Sequence, residues 1–292
     1  MFILRSIKNT FKALMKFSIL IAHYNNARYF KKCFDSLVAQ TYSNWETIIL
    51  DDGSREEEKV AIKKIIKDDV RFKYYENSSN QGVGFTKRKL IELANGEILG
   101  YVDPDDALLP SALQNSIAAF LKHNKASLTY SRFMSCDKDL KPIGPFKAAK
   151  QIENGNPYFF NCPIQINHFV CFKKGIYETT EKMNPELQIS EDQDLYLKLY
   201  EKGKAIFIDD TNYLYRSHDG GISQNENKKK SYEYWAKVIF NAMHRRGLTM
   251  INGQKIPAEY TSSQEIFDLL AYQNSIVYRL KKKLKIILQS FS

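Results

Sequence analysis

Ile98-Leu99-Gly100-Tyr101-Val102-Asp103-Pro104-Asp105-Asp106 is the stretch that decides how the rest of the chain is read. An uncharged run, Ile98 to Val102, ends in three carboxylates. The run reads as a buried strand and the carboxylates as its exit. An oxygen-rich cluster of this kind suits a hard divalent cation. At the C-terminal edge of a parallel sheet it would stand where open α/β folds bind ligands. An acidic turn before a helix entered at Pro110 accounts for the same residues. Two further groups favour a site: Asp51-Asp52-Gly53-Ser54 closes an earlier apolar run, and Glu191-Asp192-Gln193-Asp194 comes later.

Working outward, strand and helix signals alternate. Phe17 to Ala22, Trp45 to Leu50 and Phe72 to Tyr75 read as strands before Ile98 to Val102. Between them, Tyr29, Phe30, Cys33, Phe34, Leu37 and Val38 share a helical face behind a cap at Asn25 or Asn26. Glu56 to Lys67 has acids in its first turn, and Gly82 to Asn95 ends at Gly96. Helices follow from Pro110 to about His123 and from Asp192 to Tyr200, with strands over Ser127 to Phe133 and Ala205 to Ile208. Lys138 to Pro163 holds four of the eight prolines and reads as a mobile loop or acceptor-side insert. The order predicts an α/β fold, a mostly parallel sheet flanked by helices and joined by right-handed crossovers.

The 292 residues, 43% of them hydrophobic, suffice for one large domain with an appendage. Cys33, Cys136, Cys162 and Cys171 form no CxxC pair, so reduced thiols in a cytoplasmic setting are expected. No apolar run reaches the roughly 20 residues of a membrane span. Lys and Arg interrupt every candidate signal segment near the start. The net charge of +10 sits at the ends. Residues 1–16 carry four basic side chains, residues 276–292 carry five, and neither has an acid, which leaves 17–275 at +1. A nucleic-acid-binding domain would place such charge on a folded face, so no nucleic-acid partner is expected.

Six segments resemble glycosyltransferase family 2, inverting enzymes of the GT-A fold that use nucleotide sugars. They are Ala22-His23-Tyr24-Asn25, Asp51-Asp52-Gly53-Ser54, Asn80-Gln81-Gly82-Val83-Gly84, Asp103-Pro104-Asp105-Asp106, Glu191-Asp192 and Tyr215-Arg216-Ser217-His218, in family order. The resemblance covers about residues 17 to 224 and implies a GT-A, Rossmann-like sheet over that range. Residues 17–106 would form the nucleotide-binding half and 107–224 the acceptor-side half. A helical C-terminal extension over 225–292 would follow, and a basic segment over 1–16 would precede. By the same resemblance Ala22, Tyr24 and Asp52 hold the nucleotide, with Tyr24 stacking on the base and Asp52 accepting the imide N–H of uracil. Asp103 lies near the ribose, and Asp105 ligates Mn2+ or Mg2+ with His218 as a second candidate. Lys87 supplies positive charge to the donor where the family often has Arg. Asn80 to Arg88 resembles a phosphate loop. Asp192 matches the base that deprotonates the acceptor hydroxyl, a task that direct displacement demands. Glu191 and Asp194 are its neighbours.

The implied activity is transfer from a UDP-sugar to a glycan or lipid-linked saccharide, in cell-surface polysaccharide biosynthesis. A nucleotidyltransferase shares this sheet architecture, but would place a Gly-rich loop after the first strand, where this chain has His23-Tyr24-Asn25-Asn26. A non-catalytic binding module with basic ends is the other alternative. Ile276, Leu280, Leu284, Ile287 and Phe291 recur at helical spacing among lysines, and Leu4, Ile7, Phe11 and Leu14 repeat the pattern. Each end either meets an anionic membrane surface or packs on the domain with its lysines outward. The first choice would make the enzyme peripheral at the inner face of the membrane.

Overall fold

The structure, a computed structural model, describes residues 15–218 and 228–290. Leu4, Ile7, Phe11 and Leu14, the segment Gly220-Gly221-Ile222-Ser223 and Phe291 lie outside the described residues.

The chain opens on β1 (Phe17–His23), α1 (Ala27–Val38), β2 (Trp45–Asp51), α2 (Glu56–Ile66), β3 (Phe72–Glu76), α3 (Val83–Leu93) and β4 (Ile98–Tyr101). The four strands pair in parallel in the order β3-β2-β1-β4. β2 is buried along its whole length, and β1 at every residue except Ala22. Strands covered on both faces need apolar side chains at consecutive positions, which explains the runs Ile19 to Ala22 and Ile48 to Leu50. Ile19, Ile21 and Ile49 pack beneath Phe30, Cys33 and Leu37 of α1. Leu20, Ile48 and Leu50 face the opposite core, with Leu90 and Ile91 of α3.

Further along come β5 (Ala107–Leu108), α4 (Ala112–Lys122), β6 (Ala126–Cys136), β7 (Pro142–Pro145), β8 (Cys171–Lys173), α5 (Lys174–Tyr177), α6 (Glu191–Tyr200) and β9 (Lys204–Arg216). The sheet extends through them as β3-β2-β1-β4-β8-β6-β9-β5, with β7 on β6. β8 runs antiparallel to β4 and to β6, while β6 and β9 are parallel. The expected parallel half is therefore followed by a mixed half. The proline-rich stretch from Lys138 to Pro163, expected as a mobile loop or acceptor-side insert, holds β7, is otherwise irregular, and packs on the body. Ile152, Phe159 and Phe160 are buried in the core, and the Tyr130 hydroxyl donates to the Lys150 carbonyl at 2.7 Å.

Beyond residue 227 lie α7 (Lys228–Arg245), a hairpin of β10 (Met250–Ile251) and β11 (Gln254–Lys255), α8 (Ser263–Leu270), a 3-10 turn (Ala271–Asn274) and α9 (Ile276–Ser290). Ile239, Ala242 and Met243 of α7 and Ile266 and Leu269 of α8 share one core with Leu195 and Leu199 of α6. The extension is thus built into the body through its first two helices.

A buried carboxylate locks the base of the parallel half. Glu46, 2% exposed, accepts from Lys16 Nζ at 2.7 Å, Lys73 Nζ at 2.8 Å, Ser18 Oγ at 2.8 Å and the Asn95 N–H at 2.8 Å. Burial alone would raise its pKa, but these donors outweigh burial and hold it down at about 2.

Candidate active site

The site follows from strand register. β1 pairs with β2 so that His23 stands beside Asp51, and with β4 so that Leu20 stands beside Tyr101. β1 and β2 therefore end at one level, β4 ends three residues short of it, and the residues after all three line one cleft. His23 and Asp51 are both fully buried, with Nδ1 2.7 Å from Oδ2. His23 Nε2 accepts the Asn26 N–H at 3.3 Å, so Nδ1 is the protonated nitrogen and donates to Asp51. Burial raises the Asp51 pKa, yet the bonds from His23 and Ser54 bring it below the ordinary value. This pair ties the two strand ends together. Neither Asn25 nor Asn26 caps α1 with its side chain. Asn25 Oδ1 instead accepts from the Arg55 N–H at the start of α2, and Glu58 of α2 accepts from the Ala27 N–H. Each helix entrance is fastened by the other.

Asp52, 5% exposed, clamps the following loop. Its Oδ1 accepts from Asn77 Nδ2 at 2.8 Å and the Gln81 N–H at 2.9 Å, and its Oδ2 from the Gly82 N–H at 2.9 Å. A carboxylate has about four acceptor sites, so room for one more donor remains. Three N–H groups of the Gly-rich stretch are already engaged within the protein. The N–H groups of Gln81 and Gly82 are spent on Asp52, and that of Gly84 on the Leu187 carbonyl at 3.1 Å. Gly84 is glycine because a Cβ there would stand 2.5 Å from Leu187 O and 2.9 Å from Asn184 O. Tyr24, 51% exposed, stands at the lip of the same cleft, which Ala22 also lines.

The three carboxylates after β4 divide their tasks. Asp106 is buried, accepts from the Tyr213 hydroxyl and the Arg216 N–H at 2.7 Å each, and pins the end of β9. Burial, then the nearby charges of Asp103 and Asp105, push its pKa well up. Asp105 Oδ2 lies 2.7 Å from His218 Nε2. The His218 ring packs on Tyr29 at 4.8 Å, and the Arg216 guanidinium sits over the same Tyr29 ring at 4.5 Å. Asp103 is half-buried and opens onto the cleft. Among the described residues, no three His, Cys, Asp or Glu side chains gather closely enough to hold a metal ion alone. The Asp105–His218 separation is close to the ~3 Å edge of an octahedral Mg2+ or Mn2+ shell, a kind of site that commonly takes its other ligands from phosphates and water. The donor set fits such an ion as a partial site.

Across the cleft, Asp192 sits in the first turn of α6. The Gln193 N–H donates to its Oδ1 at 2.8 Å. Burial and then Glu191 raise its pKa, Lys87 partly opposes them, and the result is about 6. Lys87 Nζ donates to Glu191 Oε1 at 2.6 Å. Burial acts to lower the Lys87 pKa, but Glu191, Asp103 and Asp192 outweigh it, and the ammonium stays charged. Asp194 points elsewhere: it is buried, paired with Lys198 at 2.8 Å, and accepts the Asn184 N–H. Of the three acids opening α6, Asp192 is the one left half-exposed in the cleft.

The cleft holds about 870 Å3 and contains every residue expected to act on the donor or acceptor: Ala22, Tyr24, Asp52, Lys87, Asp103, Asp105, Asp192 and His218. It also contains residues that pattern reading passed over. His168 is half-buried and stacks on Tyr213 and Tyr215 at 4.6 and 5.4 Å; loss of solvent around the ring lowers its pKa, Asp103 opposes this and Lys87 adds to it, and the result is about 4, so it is neutral. Tyr196 of α6 and Ser231, Tyr232 and Trp235 of α7 complete the wall. Motif order signals none of them: Tyr196 follows Glu191-Asp192 on its helix, and the α7 residues lie beyond the last motif.

This geometry has relatives. A family model described as glycosyl transferase family 2 matches residues 18–180, more than half of the chain. The chain is 27% identical over 277 residues to hyaluronan synthase of Pasteurella multocida, covering 92% of this chain and 27% of that protein's length. It is 28% identical over 213 residues to the UDP-Glc:alpha-D-GlcNAc-diphosphoundecaprenol beta-1,3-glucosyltransferase WfaP of Escherichia coli, covering 73% of this chain and 81% of that one. Among solved structures, S. aureus TarS 1-349 in complex with UDP-GlcNAc superposes with a TM-score of 0.66 at 17% identity, over 88% of this chain and 71% of that one. The fold is that of these GT-A neighbours, and the chain belongs to glycosyltransferase family 2.

Proposed function

We propose that the chain is an inverting, metal-dependent hexosyltransferase. It moves a sugar from a UDP-sugar to a hydroxyl of a glycan or lipid-linked saccharide, in the assembly of a cell-surface polysaccharide at the inner face of a membrane. The observation that carries this reading is Asp192: a half-exposed carboxylate with a pKa raised to about 6, in one cleft with Asp105 and Lys87. An acceptor oxygen attacking the anomeric carbon must lose its proton as the bond to the diphosphate breaks, and Asp192 takes that proton. The nucleoside diphosphate leaves with added negative charge. Lys87 remains cationic beside Asp103, ready to stabilise that charge. A divalent ion bound at Asp105 and His218 would act there as a Lewis acid. Attack and departure on opposite faces of one carbon invert its configuration. Tyr24 offers an exposed ring for the base, and the one open acceptor position on Asp52 suits the imide N–H of uracil. The reading is supported by the UDP-GlcNAc bound to TarS and by the UDP-Glc and diphosphoundecaprenol-linked GlcNAc in the name of WfaP. Family membership leaves no place for the nucleotidyltransferase alternative.

Paired variants test the assignment. Asp105→Asn replaces a charged oxygen donor and should weaken Mn2+-dependent UDP binding and transfer together. Asp192→Asn should leave UDP binding by calorimetry near wild type and lower transfer on the order of 100-fold or more. Wild-type transfer by Asp192→Asn would place the base elsewhere. A thermal-shift series in which GDP or ADP stabilises as much as UDP would remove the uracil assignment.

A further inference from the structure

The helix α9 carries an apolar face that stays exposed among the described residues. At 100° per residue, Ile276, Val277, Leu280, Leu284 and Leu288 fall within an arc of about 120°. Their exposures are 74%, 62%, 62%, 59% and 60%. Single exposed apolar residues are ordinary, but a continuous stripe of them marks an interaction surface. The half-buried residues of the helix are Tyr278, Lys282 and Ile286, one turn apart and on the opposite side. Polar contacts tie that side to the body. Lys282 Nζ donates to Gln165 Oε1 at 2.8 Å and lies 5.5 Å above the Phe159 ring. Gln289 donates to the Asn154 carbonyl at 2.8 Å and accepts the Asn154 N–H at 3.0 Å. Lys285 pairs with Glu153 at 3.1 Å. A helix that packed through its amphipathic pattern would turn the stripe inward and the lysines outward. Here two lysines hold the domain and the stripe faces away, so the packed-helix alternative is reversed.

The charge around the stripe indicates its occupant. Lys281 and Lys283 flank it, Arg279 lies behind, and no acid occurs from residue 276 to 290. A second copy of this helix would bring like charges together, and an ordinary protein groove would have to neutralise several cations at once. An anionic lipid surface provides acyl chains for the stripe and headgroup charge for the rim. We infer that α9 is an in-plane anchor that lays its Ile276–Leu288 stripe into an anionic membrane surface. The inference rests on the helix alone and stands whatever sugar the cleft transfers. It also goes further than the sequence pattern, because it fixes which face of α9 meets lipid.

Vesicle co-sedimentation of the full chain tests it, with phosphatidylcholine vesicles and with mixed phosphatidylcholine–phosphatidylglycerol vesicles. The wild-type chain should partition onto the mixed vesicles, less so as salt rises, and far less onto phosphatidylcholine alone. The double variant Leu280→Ser/Leu284→Ser should lower that partition at least about ten-fold, since two side chains leave the apolar layer. Its melting temperature should stay at the wild-type value. Lys281→Glu/Lys283→Glu should lose binding to the mixed vesicles with the apolar stripe intact. Unchanged partition of the serine variant would overturn the inference. So would a soluble dimer in sedimentation equilibrium that the serine variant dissolves, because the stripe would then belong to a second copy.

Discussion

At the scale of single residues the site works through graded environments for one functional group. Asp51, Asp52, Asp106 and Asp194 are buried carboxylates occupied by protein donors. Asp192 is left partly open, with its pKa raised to about 6 by burial and by Glu191. A base must be deprotonated to act, so transfer should fall as pH drops through about 6. The acid limb of the pH profile for kcat/KM reads that value. Among the causes acting on Asp192, Lys87 is the charge that lowers its pKa, beside the hydrogen bonds from Gln193. Lys87→Gln should therefore move the acid limb upward while also weakening donor binding. A limb that stays in place would mean that another group controls it. Tyr24 makes a simpler case. Its ring is half-exposed and free to stack, and base–aromatic stacking is worth ~1–3 kcal/mol. Tyr24→Ala should weaken UDP binding about ten-fold by calorimetry, with little effect on stability.

Elements position these residues, and small features decide how well. Gly84→Ala puts a methyl group against the carbonyls of Leu187 and Asn184. Backbone atoms cannot step aside as a side chain can, so a loss of ~1–3 kcal/mol in urea unfolding is expected. Transfer should fall as well, because residues 184–190 lead into Asp192. Gly144 has open space around it and serves as the control, with little change on Gly144→Ala. Glu46 holds the base of the parallel half. Its folded-state pKa of about 2 lies below the ordinary 4.5, so its contribution is complete above pH 4.5 and is lost as pH falls towards 2. At neutral pH that contribution is roughly 3 kcal/mol. Glu46→Gln should destabilise the chain by that order at pH 7, and the difference should shrink towards pH 2. The parallel strands were legible because each centres on a short run rich in apolar and aromatic residues between helical patterns. β5 and β8 were not, being two and three residues long and defined by their partners. Motif order found the carboxylates. It could not tell that Asp52 spends its acceptors on the Gly-rich loop, since hydrogen-bond partners far apart in the chain leave no periodic trace.

The molecule as a whole closes its cleft with parts beyond the matched family region, and one of them, α7, lies past every motif. The matched family model ends at residue 180, yet α6 and α7 lie beyond it, and both line the site. Tyr232, 45% exposed, stacks on Phe267 of α8 at 4.1 Å, and Trp235 meets the same ring at 5.2 Å. The α7 wall is thus stiffened from behind by α8. Tyr24 and Asp52 come from the nucleotide half, while Tyr232 and Trp235 come from the far end of the chain and share the cleft with Asp192. Sugars present apolar C–H faces that pack on aromatic rings, and an exposed ring backed by another is held in place for that contact. The α7 aromatics should therefore serve the acceptor rather than the donor. Tyr232→Ala is expected to raise the KM for a saccharide acceptor about ten-fold, a loss of the order of one aromatic contact. UDP affinity and the slow hydrolysis of the UDP-sugar should remain at wild-type values, because neither uses that wall. A parallel fall in UDP affinity would show instead that α7 supports the donor side, and an unchanged acceptor KM would assign Tyr232 to packing on Phe267 alone.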